Sequence, residues 1–352
     1  MPTPEEISRK YRDIFLKTQR SFLRRYQAVF EKVADDFARL SKDPNVKFTR
    51  SFKFPPDIEK KIMAITTVMH DDLLNLTQED IKESWALSNQ KNDRIVKTYL
   101  STIKGIKDAQ EASYLLPNTS ALKAFISRKE NAETLSSLVW KVANQARKEM
   151  ETHLGIGIVN GDSSKMISQR IRQYLNNPDV LFRRVRDANG KLIASKAMQE
   201  YHPGQGVYRS SYKNALRVAR SETNQAYLMS DHVRWAQMDM VIGIKISLSA
   251  QHPEYDFPEI CEVLEGIYPK TFVFRGFHPH CLCHKTPVLM PEADFRAYLK
   301  GDIPFKAAQI TEYPESFTKF WQENYERFSG YKSMPYVMKD NIEVIERAVG
   351  IN

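Results

Sequence analysis

The chain has 352 residues, of which 42% are hydrophobic and 27% charged, with three cysteines and a net charge of +9. That length predicts two or three domains. No run reaches the roughly 18 to 20 apolar residues that span a bilayer, the opening MPTPEEISRKYRDIF lacks the apolar core of a secretory signal, and three cysteines cannot close a disulfide framework, which fits a reducing compartment.

Thr3-Pro4-Glu5-Glu6 reads as a helix start, with Thr3 as cap, Pro4 at the first helical position and Glu6 three residues beyond the cap. Apolar residues then recur in steps of three and four, through Ile7, Tyr11, Ile14, Phe15, Phe22, Tyr26, Phe30 and Phe37, and predict one long amphipathic helix ending near Ser41. Phe52 and Phe54 suggest a short strand closed by Pro55-Pro56. Helical pattern resumes at Asp57 and runs to about Asn75, and again from Gln78 to about Ala112. Pro117 to Ser120 forms a turn and cap, followed by helices over ALKAFISRK and AETLSSLVWKVANQARKEMETHLG. Residues 1–154 thus read as an all-helical, bundle-like domain without a catalytic signature, and its His70 and His153 read as surface or cap residues.

The stretch from Gly155 to Gly161 reads as a break, after which Asp162-Ser163-Ser164 caps a helix with Ile167, Ile171 and Leu175 inward. VLFRRVR-DANG-KLIAS predicts a hairpin, because Asn189-Gly190 supplies the positive φ that a tight turn needs. A basic helix from Tyr208 carries Arg209, Lys213, Arg217 and Arg220 on one face, and continues as RSETNQAYLMSDHVRWAQ, with Trp235 as a core residue. Between Gly161 and Arg220 there are twelve Lys or Arg against four Asp or Glu, a surplus of eight that nearly equals that of the whole chain. Arg183, Arg184, Arg186, Arg209, Lys213 and Arg217 are therefore candidates for an anionic partner, DNA or an acidic protein surface, with a solvated basic face as the competing reading.

A strand, GIKISLS, and the closing FHPHCLCHKTP complete this module. All three cysteines lie in it, with five of the eight histidines in or beside it. Cys261, His278, Cys281 and Cys283 form a candidate structural zinc set, with His280, His284 and His252 as substitutes, since thiolate and imidazole are the ligands of a closed tetrahedral site. Buried free thiols are the competing reading. A cysteine nucleophile lacks a recognisable orienting group, and a nuclease assembled from His252-Pro253-Glu254-x-Asp256 and His278-Pro279-His280 lacks paired carboxylates on a readable scaffold. Arg220 and Glu222, two apart on a helix, do not face each other, and each is expected to form a structural ion pair with a different partner.

The order of these features carries a resemblance. A basic helix ending in Ala219-Arg220-Ser221-Glu222-Thr223-Asn224, a Trp-bearing helix, a strand, a cysteine near Gly266 and a closing His278-Pro279-x-Cys281-x-Cys283 resemble the phage Mu F-like minor head proteins, also called head morphogenesis or minor capsid proteins. The resemblance covers roughly residues 155–290. It implies a low-copy structural protein of a phage or prophage head, acting in head assembly near the portal, with portal and capsid proteins and possible packaged DNA as partners. It also implies no small-molecule substrate, no membrane, and a place in the virion head and, during assembly, the host cytoplasm. Two departures stand out. The family commonly has Cys-x-x-Cys before the glycine, where this chain has Cys261 and then Leu264, and it commonly has Arg between the last two cysteines, where this chain has Leu282. A four-cysteine zinc site is excluded by count.

After Met290 the pattern is helical again: FRAYLKG, then ESFTKFWQENYERFSG with an aromatic stripe from Phe317 to Phe328, then a last helix after Met334-Pro335 ending at Ala348. The stripe reads as core or a subunit contact. The expectation is a predominantly α-helical α+β protein, divided into residues 1–154, 155–290 and 291–352. The function is a non-enzymatic minor component of a phage head, with a metal-dependent nuclease or toxin built on the Cys/His module as the alternative.

Overall fold

The computed structural model describes residues 2–46, 54–103, 105–130, 132–177, 184–188, 190–194, 210–249, 259–278, 281–331 and 334–351. The protein is predominantly helical α+β, 69% helix with a small three-stranded antiparallel sheet. Its first two helices are long: α1 spans Pro4–Leu40 and α2 spans Pro56–Leu100. Then come α3 (Asp108–Tyr114), α4 (Thr119–Ser127), α5 (Leu135–Asn160) and α6 (Ser164–Asn176). A hairpin of β1 (Arg184–Arg186) and β2 (Leu192–Ala194) precedes α7 (Ser211–Ala236). Strand β3 (Val241–Ser247), helix α8 (Ile260–Val263), and strands β4 (Gly266–Pro269) and β5 (His284–Leu289) follow. The chain ends with α9 (Glu292–Lys300), α10 (Phe305–Ala308), α11 (Glu315–Ser329), α12 (Tyr336–Asp340) and α13 (Ile342–Ala348).

The chain forms two compact units, neither of them a continuous stretch. One comprises Met1–Gln19, Asp80–Ser127 and Arg220–Asn352, the other Arg20–Glu79 and Arg128–Ala219. The units cut across the three consecutive segments expected from the sequence. Helices α1, α2 and α7 each contribute one part to each unit.

The first unit is built on the sheet, whose strand order is β4-β3-β5. In β3, Ile244 and Ile246 are buried while Lys245 between them is exposed, the period-two pattern of a strand with one covered face. Ile244 pairs with Tyr268 on one side and with Pro287 on the other. Pro287 is tolerated because β5 is an edge strand, where one backbone donor is dispensable. Tyr268 stacks on Phe272 at 4.5 Å between ring centres, and Phe317 of α11 meets both edge-on. Phe317 and Trp321 are fully buried, which makes the aromatic stripe of α11 core. Phe15, Val96, Tyr227 and Trp235 bring α1, α2 and α7 into the same cluster. At Gly243 an added Cβ would lie 2.6 Å from Ile310 Cδ1, so the missing side chain lets the segment after α10 approach, and Ile310 N–H donates to the Ile242 carbonyl.

The second unit is helical apart from the hairpin. Phe22, Tyr26, Phe30, Val33 and Phe37 line the buried face of α1, and Ile167, Ile171 and Leu175 are buried on α6 as the sequence predicts. Thr134 caps α5 with a reciprocal bond to Ser137.

Several expectations change. The predicted interruption of α2 after Asn75 is absent: no glycine or proline occurs between Pro56 and Leu100, and Thr77 turns its hydroxyl back to the Leu73 carbonyl inside the helix. The predicted break from Gly155 is also absent. Helix α5 runs through Gly155 and Gly157 and stops at Gly161, whose φ of +70° forms the left-handed cap. Gly157 serves packing, since a Cβ there would lie 2.4 Å from Ile167 Cγ1 of α6. The hairpin forms, with Asp187 and Lys191 bonded across its end and Gly190 at φ +79°. The final helix is two short ones separated at Asn341. Phe52 lies outside the described residues, and Phe54 is buried without strand structure. No helix among the described residues is long and apolar enough to cross a membrane.

Candidate metal centre

Cys261 sits in the single turn of α8, whose start is fixed by Glu259 and Glu262 in a reciprocal capping arrangement. Cys281 and Cys283 lie just ahead of β5. The approach to them is tight: Gly276 has φ +113°, and a Cβ there would lie 3.3 Å from Cys281 Cβ. Only glycine meets both demands at low cost. Cys281 N–H then donates to the His278 carbonyl at 3.1 Å, a turn that brings the His278 ring to the side of Cys261.

The three sulfurs lie within 4.8 Å of one another, and all three are buried and free of disulfides. Cys261 Sγ is 3.9 Å from Cys281 Sγ, and His278 Nε2 is 3.1 Å from Cys261 Sγ. In a tetrahedral zinc site with Zn–S bonds of about 2.3 Å, sulfurs sit about 3.8 Å apart. The three thiols are therefore close enough to bind a metal ion, with His278 beside them. Protonation follows the same geometry. Hydrogen bonds from Cys261 and Cys283 hold the Cys281 thiol well below its ordinary pKa, with His278 adding to the effect. Cys261 is pushed up by its bond to Cys281. Cys283 gains a lowering bond from Cys261, which its bond to Cys281 and burial outweigh. Cys281 is 4% exposed, whereas reactive cysteines are ordinarily partly exposed.

Around the thiols lies a set of buried polar side chains that sequence reasoning missed. Asn224 of α7 donates to the Cys281 carbonyl at 3.0 Å. Arg12 of α1 donates to Asn224 Oδ1 at 2.9 Å and to the Leu282 carbonyl at 2.5 Å. Farther along α7, Asp231 accepts from Ser88 (2.7 Å), Lys91 (2.5 Å) and Asn92 (2.8 Å), and Asn92 in turn accepts from Trp235 Nε1. Lys285 Nζ is buried without a hydrogen-bond partner among the described residues, lies 5.2 Å from the Trp235 ring centre, and has its pKa pushed down to about 7 by burial. Arg275 reaches Gln225 and grips Asp340 with two nitrogens.

The other predicted residues fare differently. The Arg220 carbonyl accepts from Gln19, and its side chain makes no ion pair among the described residues. Glu222 is buried. Of the basic residues, Arg183 and Arg209 lie outside the described residues, as does the side chain of Arg184. Lys213 is exposed, and Arg217 is half-buried and bonded to Asn214. Exposed Arg186 donates to the Gly190 carbonyl within the hairpin. His252 and His280 lie outside the described residues, and His284 is half-buried at the start of β5. His153 is not a surface residue but is buried, with its ring 4.8 Å from that of Tyr174. His70 is half-buried, and its Nε2 lies 3.2 Å from both the carbonyl and the hydroxyl oxygen of Ser136.

No protein-family model, no curated protein and no solved structure matches this chain.

Proposed function

We propose that this protein is a non-enzymatic minor component of a phage or prophage head, acting in head morphogenesis near the portal. Cys261, Cys281, Cys283 and His278 would hold a structural zinc ion. One observation carries the reading: the motifs whose order resembles the Mu F-like minor head proteins meet physically, with Asn224 of the Arg-Ser-Glu-Thr-Asn segment bonded to the carbonyl of Cys281 in the closing Cys-x-Cys. Such a unit favours holding shape over turnover. Three thiolates and an imidazole fill a tetrahedral ion and leave no position for a reacting water. Portal and capsid proteins are the proposed partners, and exposed Lys213 and Arg186 the groups offered to packaged DNA. The virion head, and the host cytoplasm during assembly, are the proposed locations.

The test is mass spectrometry of purified heads and proheads from the phage or prophage that encodes the chain. The expected result is the protein at low copy relative to the major shell protein. Its absence from both particles removes the proposal. A metal-dependent nuclease or toxin is the second reading, favoured by one feature: His278 lines a cavity of about 710 Å³ together with Glu259, Lys319, Glu323 and Arg327. That reading requires metal-stimulated cleavage of nucleic acid that disappears in His278→Ala.

A further inference from the structure

The thiol cluster poses a problem of charge. Three thiolates and a neutral imidazole around a divalent cation carry a net charge of −1, and the sulfurs here are buried. An uncompensated buried charge is strongly disfavoured, so a cation in the surrounding protein is required. Arg12 is a candidate. Its side chain is 6% exposed, and its guanidinium donates to the carbonyl of Leu282, the residue between the two closing cysteines. Asn224 joins the two: it accepts from Arg12 and donates to the carbonyl of Cys281.

Arg12 comes from far away in sequence, on the buried side of α1. Ser8, Arg12, Phe15 and Gln19 recur there in steps of four, three and four, and all four are buried. Gln19 donates to Thr223 Oγ1, and Phe15 packs on Tyr227 at 4.7 Å between ring centres. The first four turns of α1 are therefore held by α7 and by the cysteine loop.

We infer that Arg12 is the counter-charge of a metal–thiolate centre, so that metal loading fastens residues 4–19 of α1 to the cysteine loop. The inference rests on the zinc reading above and adds a positioning residue to it. A metal ion would tie Cys281 and Cys283 to Cys261 and so fix the Leu282 carbonyl that Arg12 grips. Without metal that carbonyl is less firmly placed, and the helix is held less firmly. Surrounding residues that orient and balance metal ligands typically change metal affinity by about 10- to 100-fold when removed.

The experiment uses the full chain, loaded with zinc or stripped by chelator, with zinc release to a chromogenic chelator and hydrogen exchange as readouts. Wild type is expected to hold one zinc per chain. Arg12→Gln is expected to release it about 10- to 100-fold faster, with Arg12→Lys restoring part of the retention. Stripping wild type is expected to speed exchange of amides in residues 4–19 more than in α13. If wild type holds zinc but Arg12→Gln releases it at the wild-type rate, Arg12 is not the counter-charge, and the metal reading survives. If wild type binds no zinc, both fall. Should Arg12→Gln fail to fold, the wild-type arm decides alone: equal exchange of residues 4–19 in the loaded and stripped protein overturns the coupling, and faster exchange on stripping supports it.

Discussion

In the unit that carries the cysteines, α7 buries Asp231 and Arg234 against partners of opposite charge. Asp231 has three donors within 2.8 Å, and Arg234 meets Asp93 at 2.5 Å. In the helical unit, α5 buries Glu149 and His153 one turn apart, and both are driven toward their neutral forms. Burial raises the Glu149 pKa to about 8 against bonds from Ser211 and Gln145, and lowers that of His153 to about 4. The contrast is one of partners. Lys91 and Asp231 are 1% and 0% exposed and each supplies the charge the other lacks. Among the described residues, no cation bonds to Glu149, and His153 Nδ1 has no hydrogen-bond partner. An opposite charge in reach favours the charged form of a buried group, and burial without one favours the neutral form.

The largest test of this contrast is Asp231→Ala. It leaves Lys91 buried with no anion among its hydrogen-bond partners, and removal of one partner of a buried pair costs about 3 to 5 kcal/mol. A fall of that size in unfolding free energy, read from the urea midpoint, is expected. The double change Lys91→Met with Asp231→Leu, which removes both charges and keeps apolar volume, is expected to recover most of the loss. A double variant as unstable as Asp231→Ala would mean that the cost lies in packing, and the distinction between the units would fail there.

The helical unit makes the opposite prediction, a dependence on pH with two windows. Glu149 keeps in the fold a proton that the unfolded chain loses above about 4.5, so its contribution is complete below that pH and is lost as pH rises toward 8. His153 refuses in the fold a proton that the unfolded chain takes below about 6.5, so its contribution is complete above that pH and is lost as pH falls toward 4. At about 1.4 kcal/mol per pH unit, the Glu149 window is worth about 5 kcal/mol and the His153 window about 3.5 kcal/mol. Between pH 4.5 and 6.5 the two slopes oppose each other. Relative to wild type, Glu149→Gln should remove the decline above pH 6.5, and His153→Phe should expose a decline that begins near 4.5. Urea midpoints across pH 4 to 8.5 read both. Parallel profiles in all three proteins would place the charge elsewhere.

The sequence exposes the parts of this fold in which apolar residues set the face. On α6, Ile167, Ile171 and Leu175 point inward as their spacing requires, and Phe317 and Trp321 lead the aromatic stripe into the core. It misleads where polar residues do the burying. The apolar spacing of α1 favours Ile14, which is 37% exposed, while Ser8, Arg12 and Gln19 occupy the covered face. Nothing in the residue types of an isolated helix says that Arg12 has a carbonyl at Leu282 to reach. The same holds for Asp231, whose donors arrive from α2 some 140 positions earlier. The cysteine set was legible because thiol and imidazole are rare and clustered in this chain, and Cys261, Cys281 and Cys283 do converge. The side chains that hold their loop were hidden, since Asn224 and Arg12 are ordinary residue types whose meaning is set by tertiary contact alone.

Gly157 gives the smallest and most local test, and it separates helix preference from packing. Inside a helix, Gly→Ala ordinarily stabilises by about 1 kcal/mol. Here the new methyl would sit 2.4 Å from Ile167 Cγ1 and 2.7 Å from its Cδ1, against a side chain with no exposure and no room to swing away. Overpacking of that kind costs about 1 to 3 kcal/mol, so the net expectation is a loss of about 1 kcal/mol in place of a gain. Shortening the opposing side chain in Gly157→Ala with Ile167→Val should return part of that loss, because the removed Cδ1 is one of the two clashing atoms. A Gly157→Ala protein more stable than wild type would show that α5 and α6 yield at this contact, and the close approach would then be a consequence of the glycine and not the reason for it.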